Sequence, residues 1–210
     1  MTATDTSSAE EFWEDRYNSS DRLFSGNPNS ALIRETSAVT PGRALDLGCG
    51  EGADAVWLAR QGWHVTAVDI SPTALSRGAE HATAAGVADR IDWQQHDLAH
   101  SFPEGAFDLV SAHYLHSPRE MPREEILRRA AEAVAPGGLL LIVGHAGWPS
   151  WSHDHDTEIH FPTPDEVLAA LDLPEGRWEV LVKETYDTPM TDPDGRPATR
   201  PDNTLKLRRR

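Results

Sequence analysis

Three glycines and three carboxylates stand together in LDLGCGEGAD, residues 45–54. Glycines lack a Cβ, so a ligand can approach the backbone N–H groups of such a segment closely. The spacing G-x-G-x-x-A that begins at Gly48 also satisfies the pattern of dinucleotide-binding loops. However, Asp46 and Glu51 would repel a pyrophosphate, which the amino end of a helix otherwise attracts. The charges therefore favour a ligand with a cationic end.

Two further carboxylates follow at the ends of later strand-like segments. Asp69 closes HVTAVD, where a carboxylate can accept hydrogen bonds from both hydroxyls of a ribose. Asp97 in HDL can accept a hydrogen bond from an adenine amino group while Leu98 offers an apolar contact; alternatively, Asp97 caps a helix and binds no ligand. S-adenosylmethionine (SAM) joins a nucleoside to a sulfonium and an α-ammonium group. It is the cofactor that these residues indicate.

The elements that position these residues alternate between strands and helices. We interpret RALDL, HVTAVDI, RIDWQQHD, AFDLVSAHY and LLLIVGH as strands, and intervening segments such as PTALSRGAEHATAAG and PREEILRRAAEAVAPGG as helices. This alternation predicts βαβ units and a mostly parallel sheet with helices on both faces. Beyond Gly147, RWEVLVKETY and NTLKLRRR around DPDG predict an antiparallel hairpin. We expect a doubly wound, Rossmann-like α/β fold of seven strands, which binds ligands at the carboxyl ends of its strands.

Length and composition limit the remaining possibilities. The 210 residues, 39% of them apolar, suit one compact unit, in which we take residues 1–40 as a helical extension and residues 41–210 as the main domain. A single cysteine, and an N-terminus without a basic or apolar leader, indicate the cytoplasm. No apolar run has the length of a membrane span, and a net charge of -15 argues against a nucleic-acid partner. The expected partner is a small molecule.

Ordered motifs along the chain resemble those of class I SAM-dependent methyltransferases: ALDLGCGEGADAVWLARQGWHVTAVDISPTAL, HDL, FDLVSAHYLH and VAPGGLLLIVG. The N-terminal segment FWEDRYNSSDRLFSGNPNSALIRE is similar to that of the tellurite-resistance and thiopurine methyltransferase-like branch. The resemblance covers nearly the whole chain and implies a methyltransferase with SAM as its cofactor. It also implies these contacts: Asp46, Gly48 and Gly50 at the methionine end, Asp69 and Ile70 at the ribose and adenine, and Asp97 and Leu98 at the adenine.

The N-terminal aromatic residues have two interpretations. Phe12, Trp13, Tyr17 and Phe24 can pack on the sheet as ordinary apolar residues. The resemblance to the tellurite-resistance branch instead implies that residues 1–40 form a lid, in which aromatic side chains, Trp13 among them, cover the cofactor.

The acceptor side is expected after the fourth strand, in SAHYLH. His113, Tyr114 and His116 are the candidate catalytic residues, because this strand end should face the transferred methyl group. For each histidine, the alternative is a hydrogen-bonded loop residue. The N/D-P-P-Y/F tetrad, which resembling amino-group methyltransferases of DNA and protein carry here, is absent. The expected acceptor is a small thiol, a heterocycle or a chalcogen oxyanion.

Two other functions stay open. The pattern G-x-G-x-x-A and Asp69 also suit an NAD(P)-dependent oxidoreductase, although no Y-x-x-x-K motif follows any tyrosine. A methyltransferase-like fold that binds SAM without catalysis is the third interpretation. Residues 145–160 are rich in imidazoles and carboxylates but lack a standard ligand spacing, so we expect no metal site.

Overall fold

The structure is a computed structural model that describes residues 7–152 and 159–210, and it contains one mixed sheet flanked by helices. The strands are β1 (Arg43–Leu47), β2 (His64–Asp69), β3 (Ile91–Gln95), β4 (Phe107–His113), β5 (Val134–His145), β6 (Trp178–Thr191) and β7 (Pro197–Arg209). The helices are α1 (Ala9–Asn18), α2 (Ser30–Thr36), α3 (Ala53–Arg60), α4 (Pro72–Ala84), α5 (Arg123–Glu132) and α6 (Pro164–Ala170). The order in the sheet is β3-β2-β1-β4-β5-β7-β6.

β1 to β5 pair in parallel. β1 lies between β2 and β4, with Leu45 opposite Thr66 on one side and opposite Val110 on the other. β2 and β3 lie on one side of β1, whereas β4 and β5 lie on its other side. At such a reversal of strand order, the loops after neighbouring strands diverge and leave a crevice, where open α/β sheets bind their ligands.

The sheet separates two apolar cores. Successive residues of a strand point to opposite faces, so Leu45 and Leu47 belong to one core and Ala44 belongs to the other. The first core includes Ile126 of α5, and the second includes Leu58 of α3. Because helices cover both faces, the central strands are apolar on both sides, as their sequences predict.

The C-terminal hairpin extends the sheet. β7 lies between β5 and β6 and pairs antiparallel to both. This pairing places Asp202 of β7 opposite His145 at the carboxyl end of β5. The hairpin therefore brings polar residues from the end of the sequence to the edge of the sheet at which β1 and β4 also end.

The predicted doubly wound α/β fold of seven strands with a C-terminal hairpin is confirmed, but several boundaries differ, among them those of the hairpin strands, which end at Thr191 and begin at Pro197. β3 ends at Gln95, so Asp97 lies in the turn beyond the strand. The Asp97 side chain accepts a hydrogen bond from the backbone of that turn. α5 ends at Glu132, and residues 136–138, the Pro-Gly-Gly segment, lie in an irregular start of β5 where the register with β4 shifts. Proline lacks an N–H group, which explains the irregular pairing.

None of the helices in residues 7–152 and 159–210 is long and apolar enough to cross a membrane.

Candidate active site

The glycine-rich loop joins β1 to α3 and needs its glycines for two reasons. Gly48, Gly50 and Gly52 have φ values of 69°, 53° and 80°, which residues with a Cβ rarely adopt. Space is also restricted, because a Cβ on Gly52 would lie 2.4 Å from the Trp93 ring and one on Gly48 would lie 2.8 Å from Leu115 Cδ1. The loop is therefore a tight turn at the carboxyl end of β1.

Asp69, the last residue of β2, holds this loop in place. Its Oδ2 accepts a hydrogen bond from Gly50 N at 2.9 Å, and its Oδ1 accepts one from Ser71 N at 3.0 Å. Burial raises the pKa of Asp69, and the backbone hydrogen bonds oppose that shift. Each carboxylate oxygen has a second lone pair, so acceptors remain for ribose hydroxyls. Asp69 thus has a structural role in addition to its predicted contact with the ribose.

Two buried side chains near the glycine-rich loop have polar atoms without a hydrogen-bond partner. Asp46 of β1 accepts a hydrogen bond from Ser111 Oγ at 3.1 Å through Oδ1, whereas Oδ2 has no partner. Neither ring nitrogen of His113, at the end of β4, is hydrogen-bonded, although Nδ1 lies 3.4 Å from Asp54 Oδ2. Burial and then Asp54 raise the pKa of Asp46, and burial lowers the pKa of His113. Unpaired groups of this kind are rare in protein interiors and point to a polar ligand.

The other two carboxylates of the loop bind the N-terminal segment. Glu51 forms an ion pair with Arg77 at 3.0 Å and accepts a hydrogen bond from Leu23 N at 3.2 Å. Asp54 accepts two hydrogen bonds of 2.7 Å from the backbone and side-chain nitrogens of Asn29. Arg77 partly offsets the charge of Glu51, so the repulsion of an anionic ligand by Glu51 stays a prediction.

The residues predicted to contact adenine follow β2 and β3. Leu98 is buried and Ile70 is half-buried. Asp97 Oδ1 accepts a hydrogen bond from Ala99 N at 3.0 Å, and its Oδ2 lies 2.9 Å from His100 Nδ1. The side chain of Asp97 thus binds the backbone of its own turn rather than capping a helix, and the contact with adenine stays a prediction.

α1 lies against the loops that follow β2 and β4. A capping box between Ser8 and Glu11 defines where the helix begins. Glu14 accepts a hydrogen bond from Ser71 Oγ at 2.6 Å, and Trp13 Nε1 donates one to Ser117 Oγ at 3.3 Å. These contacts join the N-terminal segment to both sides of the crevice between β1 and β4.

Tyr17 is the buried residue of α1 and lies next to the glycine-rich loop. A Cβ on Gly50 would lie 3.0 Å from the Tyr17 hydroxyl oxygen. The Tyr17 ring also makes an edge contact with Phe24, at a centroid distance of 6.2 Å. Burial and then the charge of Asp69 raise the pKa of Tyr17, so its hydroxyl is neutral. The aromatic residues of the N-terminal segment therefore pack over the predicted cofactor loop.

A second polar cluster lies at the carboxyl ends of β4 and β5. The ring of His145 stacks on those of Tyr114 and His116, with centroid distances of 4.5 and 5.2 Å. His145 Nδ1 lies 3.0 Å from Asp202 Oδ1, and the Tyr114 hydroxyl donates a hydrogen bond to Asp202 Oδ2 at 2.9 Å. Two of the three residues predicted for the acceptor side, Tyr114 and His116, are therefore brought together, whereas His113 lies beside Asp54.

The backbone and the ionisation of this cluster are unusual. Tyr114 has a φ of 50°, a strained value for a residue with a side chain. Burial and then Asp202 raise its pKa. Burial and then the nearby His145 lower the pKa of His116 to about 4, so this imidazole is neutral at neutral pH. Strain and shifted ionisation of this kind concentrate at functional sites.

Sequence reasoning missed Asp202 and Arg200, which belong to this cluster. Arg200 donates hydrogen bonds of 2.9 and 3.0 Å to the two oxygens of Asp202, and Thr188 Oγ1 donates one of 2.6 Å. Although burial alone raises the pKa of Asp202, hydrogen bonds from His145 and from these donors lower it. The available signal was the spacing of Arg200 and Asp202, because residues two apart share one face of a strand.

The described residues do not indicate a metal site. Within residues 7–152 and 159–210, no group of three or more His, Cys, Asp or Glu side chains could hold an ion. Five of the residues considered for a metal lie outside the described ranges: His153, Asp154, His155, Asp156 and Glu158. The expected absence of a metal site therefore stays a prediction.

Comparisons with known proteins identify the central domain. Residues 44–138 match a family model described as "Methyltransferase domain". Ribosomal RNA small subunit methyltransferase C from Alcanivorax borkumensis is 36% identical over 120 residues, which cover 54% of this chain and 36% of that protein. The chain spans about a third to a half of the length of the first curated relatives that it matches.

Solved structures share the fold over nearly the whole chain. One, described as "Conversion of a Disulfide Bond into a Thioacetal Group during Echinomycin Biosynthesis", has a TM-score of 0.74 at 22% identity and covers 96% of this chain and 92% of its own. TehB from Haemophilus influenzae has a TM-score of 0.67 at 19% identity, and the match covers 96% of this chain and 67% of TehB. At these identities the likeness concerns the fold. Residues 44–138 thus match a methyltransferase domain, which supports SAM as the cofactor.

Proposed function

We propose that this chain transfers the methyl group of SAM to a small-molecule acceptor at the carboxyl edge of its sheet. The observation that carries the proposal is the pair of buried side chains, Asp46 and His113, with unpaired polar atoms beside the glycine-rich loop. An α-ammonium group would give Asp46 Oδ2 a partner and stabilise its ionised form. A pyrophosphate would instead add negative charge near Asp46, Asp54 and Asp69, which counts against an NAD(P)-dependent oxidoreductase.

The residues of the chain would bind and orient the two reactants. When bound, SAM supplies a methyl group on a positively charged sulfur, which the acceptor displaces in line. In this proposal Asp69 binds the ribose, and α1 with Trp13 excludes water from the crevice. Because Nδ1 of His145 faces Asp202, its Nε2 is the ring nitrogen left to face the acceptor.

A small acceptor is favoured over a polyanion by charge. The chain has a net charge of -15, and nucleic-acid binding depends on basic side chains that displace counterions. Ribosomal RNA is the second candidate, because the relative from Alcanivorax borkumensis is named for it. A place in the tellurite-resistance branch, with a thiol, heterocycle or chalcogen oxyanion as acceptor, is part of the proposal, as is a cytoplasmic location.

Labelled SAM tests this function directly. The chain is incubated with labelled SAM and, in separate reactions, with small thiols and selenols, heterocycles, selenite, and small-subunit ribosomal RNA. We expect label in at least one small molecule and none in the RNA. Label in the RNA alone would contradict the small acceptor, and tight binding of SAM without any transfer would favour a silent binding module.

A further inference from the structure

A small cavity lies at the carboxyl ends of β4 and β5. It encloses about 10 Å³, and its walls include His116, Arg123, His145 and Asn203. Gly144 keeps this space open, because a Cβ there would lie 3.8 Å from Arg123 Nη2 and 3.9 Å from His116 Cε1. The cavity holds about one water molecule in this conformation, so it suits one end of a ligand rather than a whole acceptor.

One residue, Leu115, contacts both Arg123 of the cavity and the glycine-rich loop. The carbonyl oxygen of Leu115 accepts a hydrogen bond from Arg123 Nε at 3.1 Å. The side chain of the same residue lies against the loop, 2.8 Å from where a Cβ on Gly48 would stand. A group bound at Arg123 would therefore lie close to the loop that we assign to the methionine end of SAM.

Arg123 has no carboxylate partner among the residues that the structure describes. Its hydrogen bond to Leu115 uses one of the five N–H donors of a guanidinium. Burial lowers the pKa of Arg123, but a guanidinium stays charged at neutral pH. The fork of Nη donors is therefore available for an anionic group.

The charges around the cavity do not cancel. Asp202, the carboxylate of the neighbouring cluster, is neutralised by its two hydrogen bonds with Arg200. His116 is neutral at neutral pH. Arg123 therefore contributes a positive charge that no carboxylate of the small cavity pairs, although Glu124 of the adjoining cleft acts on it, in a chain that carries 15 net negative charges. A single planar guanidinium fork matches a carboxylate in both charge and shape.

We propose that Arg123, together with His116 and His145, forms an anion subsite for the methyl acceptor, and that the acceptor carries a carboxylate group. The role of the subsite in positioning an acceptor rests on the proposed methyl transfer. Binding of an anion at Arg123 does not depend on that function. The carboxylate accepts hydrogen bonds from Arg123 and directs the rest of the acceptor toward the transferred methyl group.

A wider cleft gives the subsite a route to solvent. It encloses about 260 Å³ between α5 and α6 and shares Arg123, Pro162 and Val167 with the small cavity. Its acidic residues, Glu124 and Glu166, line the cleft but not the small cavity. Glu166 is also occupied, because it caps α6 and lies 3.3 Å from His160. Arg123 is therefore the charged residue common to both spaces.

Arg128 provides a matched control on the same helix. Its Nη1 donates a hydrogen bond to the carbonyl oxygen of Ala170 at 2.9 Å, so it also binds a backbone carbonyl, but it does not line the small cavity. Arg123→Gln removes the proposed anion contact, and Arg128→Gln removes a comparable arginine elsewhere. Arg123→Lys keeps the charge without the planar fork and serves if Arg123→Gln fails to fold.

Binding of simple probes tests the subsite without relying on catalysis. The intact chain, loaded with S-adenosylhomocysteine, is titrated with acetate and benzoate, with the neutral amides acetamide and benzamide, and with selenite. We expect each carboxylate to bind at least about tenfold more tightly than its amide. Arg123→Gln should abolish that preference, Arg123→Lys should reduce it, and Arg128→Gln should keep it.

The outcomes separate this inference from the proposed function. Equal affinities for carboxylate and amide, or a preference that survives Arg123→Gln in a folded variant, would overturn the subsite. Tighter binding of selenite than of either carboxylate would overturn the carboxylate assignment. Failure to bind S-adenosylhomocysteine at all would count against the proposed function, whereas binding of the carboxylates through Arg123 would still support the subsite.

Discussion

Asp46 illustrates how a single buried carboxylate links cofactor binding to protonation. Burial and the neighbouring Asp54 raise its pKa to about 8, so the side chain is mainly protonated at neutral pH in the free protein. An α-ammonium group at Oδ2 would lower that pKa. Binding of SAM should therefore release a proton.

We predict that SAM binding at pH 7 releases up to one proton and that Asp46→Asn removes this release. Calorimetry in two buffers with different ionisation enthalpies measures the proton count. Affinity should also fall at least about tenfold in Asp46→Asn, because a charge-assisted hydrogen bond is lost. Identical heats in both buffers for the wild-type chain would contradict the assignment of Asp46 to the ammonium group.

Asp69 combines a predicted ligand contact with an observed structural one. Asp69→Ala should lower SAM affinity at least about tenfold, because both ribose hydroxyls lose their acceptor. It should also lower the melting temperature of the free protein by several degrees, because the N–H groups of Gly50 and Ser71 lose their partner. Calorimetry and thermal melting check the two effects. Asp92→Ala, an exposed carboxylate of β3, is the control, and unchanged SAM affinity in Asp69→Ala would contradict the ribose assignment.

At the scale of elements, α1 is held to the rest of the fold mainly by polar side chains. Glu14 joins it to Ser71 and to Thr73 at the start of α4, Glu10 joins it to Gln95, and Trp13 joins it to Ser117. Hydrogen bonds between partly exposed side chains open more readily than the ladders of core strands. A helix that lies over the cofactor loop and opens readily can admit the cofactor and then exclude water.

We predict that Glu14→Ala accelerates amide hydrogen exchange in α1 of the free protein, and that S-adenosylhomocysteine slows exchange around Trp13 and Tyr17 in the wild type. Asp15→Ala is the matched control on the same helix, since the Asp15 side chain makes no hydrogen bond to another described element. Equal exchange with and without ligand would reduce Trp13 and Tyr17 to ordinary packing residues.

The sequence predicts local elements better than their lateral order. β1 to β5 follow from apolar runs, and α4 follows from its cap Ser71 and from Pro72, because these signals lie within the element itself. The place of β7 between β5 and β6 depends on pairing over long range, and so does the meeting of Asp202 with His145. The cofactor loop was therefore predictable, whereas half of the acceptor-side cluster was not.

At the scale of the whole molecule, two buried aspartates make stability depend on pH in opposite directions. The folded pKa of Asp202 lies below its unfolded value of about 3.9, so its contribution is present above that value and is lost as the pH falls through the folded pKa. The folded pKa of Asp46 is about 8, above the unfolded value. Its contribution is present below about pH 3.9 and is lost as the pH rises through 8.

These signs predict that the ligand-free chain loses stability as the pH rises from about 5 to 8, with Asp46 contributing at most about 1.4 kcal/mol per pH unit. For a chain of this size, that slope corresponds to roughly 3–5 °C in melting temperature per unit. Asp46→Asn should flatten this decline, because an amide does not titrate.

Asp202→Asn should instead flatten the loss of stability below about pH 4. It should also melt at a lower temperature at neutral pH, because Arg200 then loses its buried anionic partner. Asp194→Asn, at an exposed carboxylate of the hairpin turn, is the control. It should change neither the decline in stability above pH 5 nor the loss of stability below about pH 4. Melting curves between pH 3 and 9 test all three variants. An unchanged slope above pH 5 in Asp46→Asn would show that the buried carboxylate is already ionised in the free protein, and would remove the physical basis for proton release on SAM binding.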